Sequence, residues 1–203
     1  MTPKRLSLMT FCPLLRFCQL PPFSQPPPSR ALSISKPTMT EKATFAAGCF
    51  WGVEKAFQKQ YGDEPIKTRV GYTGGTDKYP TYKKVCSGIT EHAEALEIEY
   101  TPNDRIHYAG LVEFFYRMHD PTTRNYQGPD HGTQYRSAIF YHSPEQEEIA
   151  KKVTAQVQEK HYKKKIVTQI VPAGPWYNAE EYHQKYLDKN PHGYECPSHY
   201  LRW

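Results

Sequence analysis

No stretch of the 203-residue chain comes near the roughly 18 uninterrupted apolar residues of a membrane-spanning helix, because charges and prolines break every hydrophobic run. That argues against an integral helical membrane protein. None of the five cysteines has a CxxC or Cys/His zinc spacing, which speaks against structural zinc and against a disulfide scaffold. No acidic residue precedes Glu41, whereas Lys4, Arg5, Arg16, Arg30 and Lys36 all do. The formal net charge of +5 therefore belongs to the first forty residues, and the remainder, with 21 basic and 21 acidic residues, is neutral. Such a balance offers no electrostatic footing for nucleic acid or an anionic membrane.

Residues 1–38 differ in kind from the rest of the chain. They hold eight of the 18 prolines together with serines and arginines, a composition that cannot build a core. A basic, acid-free leader reads as a mitochondrial transit peptide, with Arg30-Ala31-Leu32-Ser33-Ile34-Ser35 as a region for processing. A secretory signal competes, with Leu6 to Leu15 as its apolar stretch, but Arg16 and the missing small-residue cleavage pattern weaken it. An untargeted tail is the third reading. Met39 offers a second translation start, which would give a cytosolic form, and residues 40–203 are expected to be one catalytic domain.

Within that domain the hydrophobic pattern alternates between the periods of strand and helix. Ala43 to Ala47 predicts a strand, and Phe50, Val53, Phe57 and Tyr61 predict a helix that stops at Gly62. Thr68 to Tyr72 predicts a strand, followed by a long loop from Thr73 to about Thr90, a length that usually signals function. Leu96, Ile98 and Tyr100 alternate with Glu97 and Glu99 as in a half-buried strand. Leu111, Phe114, Phe115 and Met118 mark a helix ended by His119-Asp120-Pro121. Ser137 to Tyr141 predicts a strand, and Ser143-Pro144-Glu145-Gln146 opens a helix with Ile149, Val153 and Val157 as its buried stripe. Ile166 to Val171 predicts a last strand, and Asn178 a cap for a short helix reaching about Leu187, before an irregular tail from Asp188. Elements mixed in this order imply a single-domain α/β (α+β) two-layer sandwich.

Cys12 and Cys18 lie in the leader, which leaves Cys49, Cys86 and Cys196. Cys49 stands between the first strand and the first helix, in Gly48-Cys49-Phe50-Trp51-Gly52. The free N–H groups and partial positive charge of a helix start would stabilise a thiolate and lower its pKa. Simple burial is the plainer reading of an intracellular cysteine. Position argues for a nucleophile: glycine on both sides would let a substrate approach, and Phe50 and Trp51 put two large aromatics beside the sulfur.

These residues also carry a resemblance. Gly48-Cys49-Phe50-Trp51-Gly52-Val53-Glu54, Gly71-Tyr72-Thr73-Gly74-Gly75, Pro80-Thr81-Tyr82, Val85-Cys86-Ser87-Gly88, His92-Ala93-Glu94, His119-Asp120-Pro121 and Asp130-His131-Gly132-Thr133-Gln134-Tyr135-Arg136-Ser137 follow one another as in peptide methionine sulfoxide reductase A. The chain resembles that family from about Thr44 to its end. The resemblance implies a ferredoxin-like αβ-plait core with peripheral helices, reduction of methionine (S)-sulfoxide, free or in proteins, in a monomer without a metal or prosthetic cofactor, and recycling by thioredoxin. It implies Cys49 as the attacking thiolate, Glu94 as the acid, Tyr82 and Tyr135 as phenols that hydrogen-bond the sulfoxide oxygen, and Asp130 as the residue completing that network. Such a reaction needs a thiolate on the weakly electrophilic sulfur and a proton for the oxygen, so Glu94 must hold its proton well above the ordinary carboxylate pKa.

Phe50 and Trp51 are expected to cup the substrate methyl group. Oxygen transfer leaves a sulfenic acid on Cys49, which a second thiol converts to a disulfide. Cys196, in a Gly- and Pro-containing segment able to swing toward Cys49, is favoured for that step over Cys86, where the family usually keeps a buried, non-catalytic cysteine. The family commonly has Gly before His-Ala-Glu. Glu91 stands there instead, and either raises the pKa of Glu94 or decorates a loop. Two other readings compete, a cysteine hydrolase, which needs a His base and an oxyanion hole, and a non-enzymatic redox sensor joining Cys49 to Cys196.

The leader yields a direct test. Residues 1–38 fused to a fluorescent reporter are expected to direct it to mitochondria; diffuse cytosolic signal would reject the transit peptide, and secretion would restore the signal-peptide reading.

Overall fold

The computed structural model describes residues 39–203, so the leader expected at 1–38 lies outside the described residues. The elements run β1 (Glu41–Ala47), α1 (Phe50–Tyr61), β2 (Ile66–Thr73), α2 (Tyr82–Cys86), β3 (Ala93–Tyr100), α3 (Tyr108–Met118), β4 (Tyr126–Gln127), β5 (Asp130–His131), β6 (Ser137–Tyr141), α4 (Pro144–His161), β7 (Gln169–Pro172), β8 (Tyr177–Asn178) and α5 (Tyr186–Lys189). Six strands form one sheet in the order β7-β6-β1-β3-β2-β8, and β4 pairs with β5 in a separate hairpin. The four inner strands β6-β1-β3-β2 are mutually antiparallel, and α1 and α3 connect them in the ferredoxin-like plait pattern. Only β7, beside β6, is parallel to its neighbour.

Alternation along the strands decides which side chains meet the helices. Ala43, Phe45 and Ala47 of β1, Leu96, Ile98 and Tyr100 of β3 and Ile139 of β6 join Phe50, Val53 and Phe57 of α1, Leu111 and Phe115 of α3 and Val153 and Val157 of α4 in the main core. Phe45 is its centre, with ring centroids of Phe57 and Phe115 at 5.5 and 5.3 Å. Glu94 falls in phase with Leu96 and Ile98, so it too points toward α1. On the other face small residues, Ala46, Ala93, Ala95 and Ala138, pack with Phe140 beneath Val171, Ala173 and Trp176. Both faces are therefore covered, and Glu97, expected on a half-solvated strand, is 3 % exposed. Arg69 and Lys42 hold it there.

Local signals decide most boundaries. Ser143 Oγ accepts the Gln146 N–H at 3.2 Å with Pro144 in the first helical turn, as expected of α4. Gln146 departs from the capping box by accepting the N–H of His142, one residue further back, at 2.9 Å. The loop expected from Thr73 to Thr90 contains α2. The strand expected from Ile166 begins at Gln169, three residues on, because Gln158 Oε1 takes the Ile166 N–H, and β8 follows it, so it is not the last. Asn178 caps no helix: it lies in β8, paired with Gly71, because the sheet edge claims its backbone. The tail expected to be irregular from Asp188 is so only from Asn190, because α5 runs on through Lys189.

Candidate active site

The strand-to-helix junction after β1 carries Cys49 at the N-cap of α1, 7 % exposed. The first helical N–H, of Phe50, is taken across the fold by Glu94 Oε2 at 3.1 Å. A carboxyl from the middle strand thus closes the open end of the helix that bears the thiol. Burial, opposed by the Phe50 N–H and aided by the charge of Asp130, pushes the Glu94 pKa up to about 8. A carboxyl with a pKa near 8 keeps its proton at neutral pH.

The thiolate expected at Cys49 is not the resting state. Burial first, then the negative charge of Glu94, drive the Cys49 pKa far above its ordinary value, while the Trp51 backbone N–H pulls the other way. Magnitudes decide the contest: a helix start contributes up to ~1–2 kcal/mol, about one pKa unit, against desolvation shifts that reach about 3–5 units. Thiol and carboxyl rest side by side, both neutral. The glycines flanking Cys49 also serve another purpose than substrate approach. A Cβ on Gly48 would lie 2.8 Å from the side chain of Gln127, and one on Gly52 would run into the ring of His199. They admit the C-terminal tail, whose His199 Nε2 bonds the Ala47 carbonyl oxygen at 2.7 Å.

Around this pair the structure gathers the other expected residues. Tyr82, at the start of α2, and Tyr135, in the 3-10 turn Thr133–Tyr135, lie in the field of Glu94 and Cys49, and burial first keeps both phenols protonated well above the ordinary range. Each can donate a hydrogen bond but not a charge. Tyr82 also reaches the thiol of Cys86. Asp130, in β5, accepts the Tyr194 hydroxyl at 2.8 Å and acts electrostatically on Cys49, Glu94 and Cys196. Its Oδ2 is buried without a partner among the described residues. Phe50 is 1 % exposed, so little of its ring is open to a substrate, whereas Trp51 is only half-buried.

The two remaining cysteines exchange the surroundings expected of them. Cys196 is 1 % exposed, its Sγ 3.5 Å from both the Gln127 carbonyl oxygen and Ser198 Oγ. The tail is irregular but anchored, since His199, Ser198 and Trp203 each bond to the body of the fold. Cys86 is exposed, because the short α2 turns it outward while Val85 takes the buried position. Glu91 is exposed with φ 58°, the region glycine favours, so the departure from glycine costs backbone strain of about 1 kcal/mol. Glu94 takes its electrostatic push from Asp130, not from Glu91.

Other residues of the site carried no sequence signal. His183, 132 positions from Trp51, accepts the indole N–H on its Nδ1 at 3.0 Å, and Tyr186 stacks on the same indole at 3.7 Å. Glu180 holds the Tyr72 hydroxyl and the Tyr82 N–H at 2.8 and 2.9 Å. They lie on the segment read as helical, where periodicity carries no information about long-range partners. Among the described residues no group of three His, Cys, Asp or Glu side chains is arranged to hold a metal ion.

The peptide methionine sulfoxide reductase family model matches residues 41–201. A probable peptide methionine sulfoxide reductase of Schizosaccharomyces pombe is 58 % identical over 164 residues, covering 79 % of this chain and 96 % of the relative. The crystal structure of Mxr1 from Saccharomyces cerevisiae in reduced form is similar with a TM-score of 0.78 at 46 % identity, covering 83 % of this chain and 95 % of that one. Mxr1 in complex with Trx2 is similar with a TM-score of 0.57 at 30 % identity, covering 85 % and 97 %.

Glu94 makes stability depend on pH with a definite sign. Its folded pKa of about 8 exceeds the unfolded value of 4.5, so its contribution is whole below pH 4.5 and is lost as pH rises through 8. Chemical denaturation of the parent and of Glu94→Gln across pH 4.5–8 is expected to show the parent losing about 2–4 kcal/mol relative to the variant. A difference independent of pH would contradict the raised pKa.

Proposed function

The chain belongs to the peptide methionine sulfoxide reductase family, and on that premise we propose that Cys49 and Glu94 together take the oxygen from methionine sulfoxide, free or in proteins. The S epimer is the substrate that the resemblance to the A enzymes implies. The observation that carries the reading is the Phe50 N–H bond to Glu94, which holds a carboxyl of raised pKa beside a thiol at a helix start.

The substrate sulfoxide enters with its methyl group against Trp51 over Phe50 and its oxygen toward Glu94, Tyr82 and Tyr135. The Glu94 proton passes to the oxygen as Cys49 loses its own and its sulfur attacks the sulfoxide sulfur. Protonating the oxygen is what makes the attack feasible, because the sulfur becomes electrophilic and the negative charge of an isolated thiolate never has to persist in a buried site. The hydroxyl then passes from the substrate sulfur to the Cys49 sulfur: the substrate sulfur–oxygen bond and the transient bond between the two sulfurs break, a bond from oxygen to the Cys49 sulfur forms, and methionine leaves, so that thiol plus sulfoxide gives sulfenic acid plus sulfide. The proton from Cys49 ends on Glu94, which is thus restored. Tyr82 and Tyr135 donate hydrogen bonds to the oxygen as charge develops on it.

Cys196 then displaces hydroxide, protonated to water, from the Cys49 sulfur and forms a disulfide. Burial first, then Asp130, raise the Cys196 pKa, so its thiol gives up its proton only as the disulfide forms, to the departing hydroxide. Thioredoxin, an external dithiol reductant, returns both cysteines to thiols and is itself oxidised; the complex of the similar Mxr1 with Trx2 supports that partner. The hydrolase reading loses ground because, among the described residues, no histidine bonds to the Cys49 sulfur, and His199, the near one, is engaged with the Ala47 carbonyl oxygen. For residues 1–38 we keep mitochondrial targeting as a proposal resting on composition.

The test is reduction of separately prepared S and R methionine sulfoxide. The S epimer should be reduced with either dithiothreitol or thioredoxin, and Cys49→Ser should be inactive with both. Cys196→Ser should release one equivalent of methionine per enzyme and retain turnover with dithiothreitol, but lose at least about tenfold with thioredoxin. Failure to reduce either epimer would overturn the function, and thioredoxin turnover unaffected by Cys196→Ser would overturn the resolving step.

A further inference from the structure

The motif that carries Cys49 ends in Glu54, for which oxygen transfer and disulfide formation have no use. Glu54 lies three residues beyond Trp51, on the same side of α1, and is 1 % exposed. Among the described residues no lysine, arginine or histidine pairs with it. Its carboxylate instead accepts two hydrogen bonds, from Thr68 Oγ1 on β2 at 2.9 Å and from the backbone N–H of Lys185 at 2.8 Å. Burying a carboxylate that has only neutral donors is costly, and that burial raises its pKa. Packing of the helix would be better served by an apolar side chain.

The Lys185 bond shows what the carboxylate does. Lys185 has φ 52° and ψ 41°, a left-handed conformation that a non-glycine residue adopts only when its surroundings hold it there. The next residue is Tyr186, whose ring covers Trp51 at 3.7 Å with an interplanar angle of 13°. The left-handed turn is what swings the chain from the 3-10 turn Glu181–His183 into α5 and lays that ring on the indole. Gln184 fastens the other side of the turn, bonding both the N–H and the carbonyl oxygen of Val70 at 2.9 Å.

We infer that Glu54 is a positioning residue for substrate binding: its buried carboxylate locks the left-handed turn at Lys185 and thereby holds Tyr186 against Trp51, fixing the wall of the methyl pocket. The consequence for catalysis rests on the proposed seating of the substrate methyl group against Trp51; the lock itself does not. Because Glu54 acts through Tyr186, it should influence how well a sulfoxide is held and not how fast oxygen is transferred once it is bound.

Two measurements on the full chain decide this. Hydrogen exchange should show faster exchange across residues 184–189 in Glu54→Met and in Glu54→Ala, which differ in volume but both lack the acceptor, with Glu54→Gln near the parent because its amide oxygen still accepts the Lys185 N–H. Steady-state kinetics with N-acetylmethionine S-sulfoxide and dithiothreitol should show KM raised about tenfold in Glu54→Met and kcat within about twofold. In a Tyr186→Ala background the same substitution should change KM less than twofold, since the two residues act in series. Lys185→Gly should recover much of the loss in Glu54→Met, because glycine holds the left-handed turn without a clamp. Unchanged exchange at 184–189 would overturn the lock even if the parent proved inactive. Effects of Glu54 and Tyr186 on KM that multiply, or a fall in kcat alone, would overturn its role in the pocket.

Discussion

A single hydrogen bond from the Phe50 N–H to Glu94 joins the two halves of the chemistry. It ties the open end of α1 to the middle strand β3, and the sheet register puts Tyr72 opposite Glu94 on β2. The same burial that secures the bond sets the protonation of both partners. A carboxyl kept neutral near pH 7 can give a proton, and the thiol beside it stays neutral because loss of water outweighs the pull of a helix start. The site is therefore primed by proton placement. A standing thiolate would be vulnerable to oxidants and expensive to bury, whereas a thiol that ionises only as the sulfoxide takes up a proton avoids both costs.

The remainder of the site is assembled by chain far from that junction. Glycines at positions 48 and 52 leave space that Gln127 and His199 fill, so the tail is built into the active-site loop itself. Farther along, Arg117 Nε donates to the Trp203 carbonyl oxygen at 2.8 Å, while the Trp203 ring stacks on His161 at 3.9 Å. Cys196 sits between the His199 anchor and α5, buried and close enough for its charge to be felt at Cys49. The stretch before the thiol is also tied down, by the Tyr194 hydroxyl bond to Asp130 at 2.8 Å and the Lys55–Glu195 ion pair at 2.7 Å.

The legible part of the sequence was the part written in local pattern. Phe50, Val53, Phe57 and Tyr61 gave the limits of α1, and Ser143-Pro144 those of the start of α4, because periodicity and caps act within a few residues. The plait order followed from the resemblance and not from periodicity, which is blind to strand order. Asn178 misled because a cap residue and a sheet-edge residue look alike until the partner, Gly71, is known. Cys49 stood out by its position, but its pKa did not, since burial depends on everything that packs over it. His183, Tyr186 and Glu180 left no local trace: each acts on a side chain or N–H about a hundred or more positions away.

The proposed oxygen transfer turns on Glu94 carrying a proton at neutral pH. Infrared difference spectra between the parent and Glu94→Gln isolate the carbonyl stretch of that protonated carboxyl. The band should persist through pH 7 and titrate away with a midpoint near 8. Its loss between pH 4 and 5 would mean an ionised Glu94 in the resting enzyme and would contradict the role of this carboxyl as proton donor.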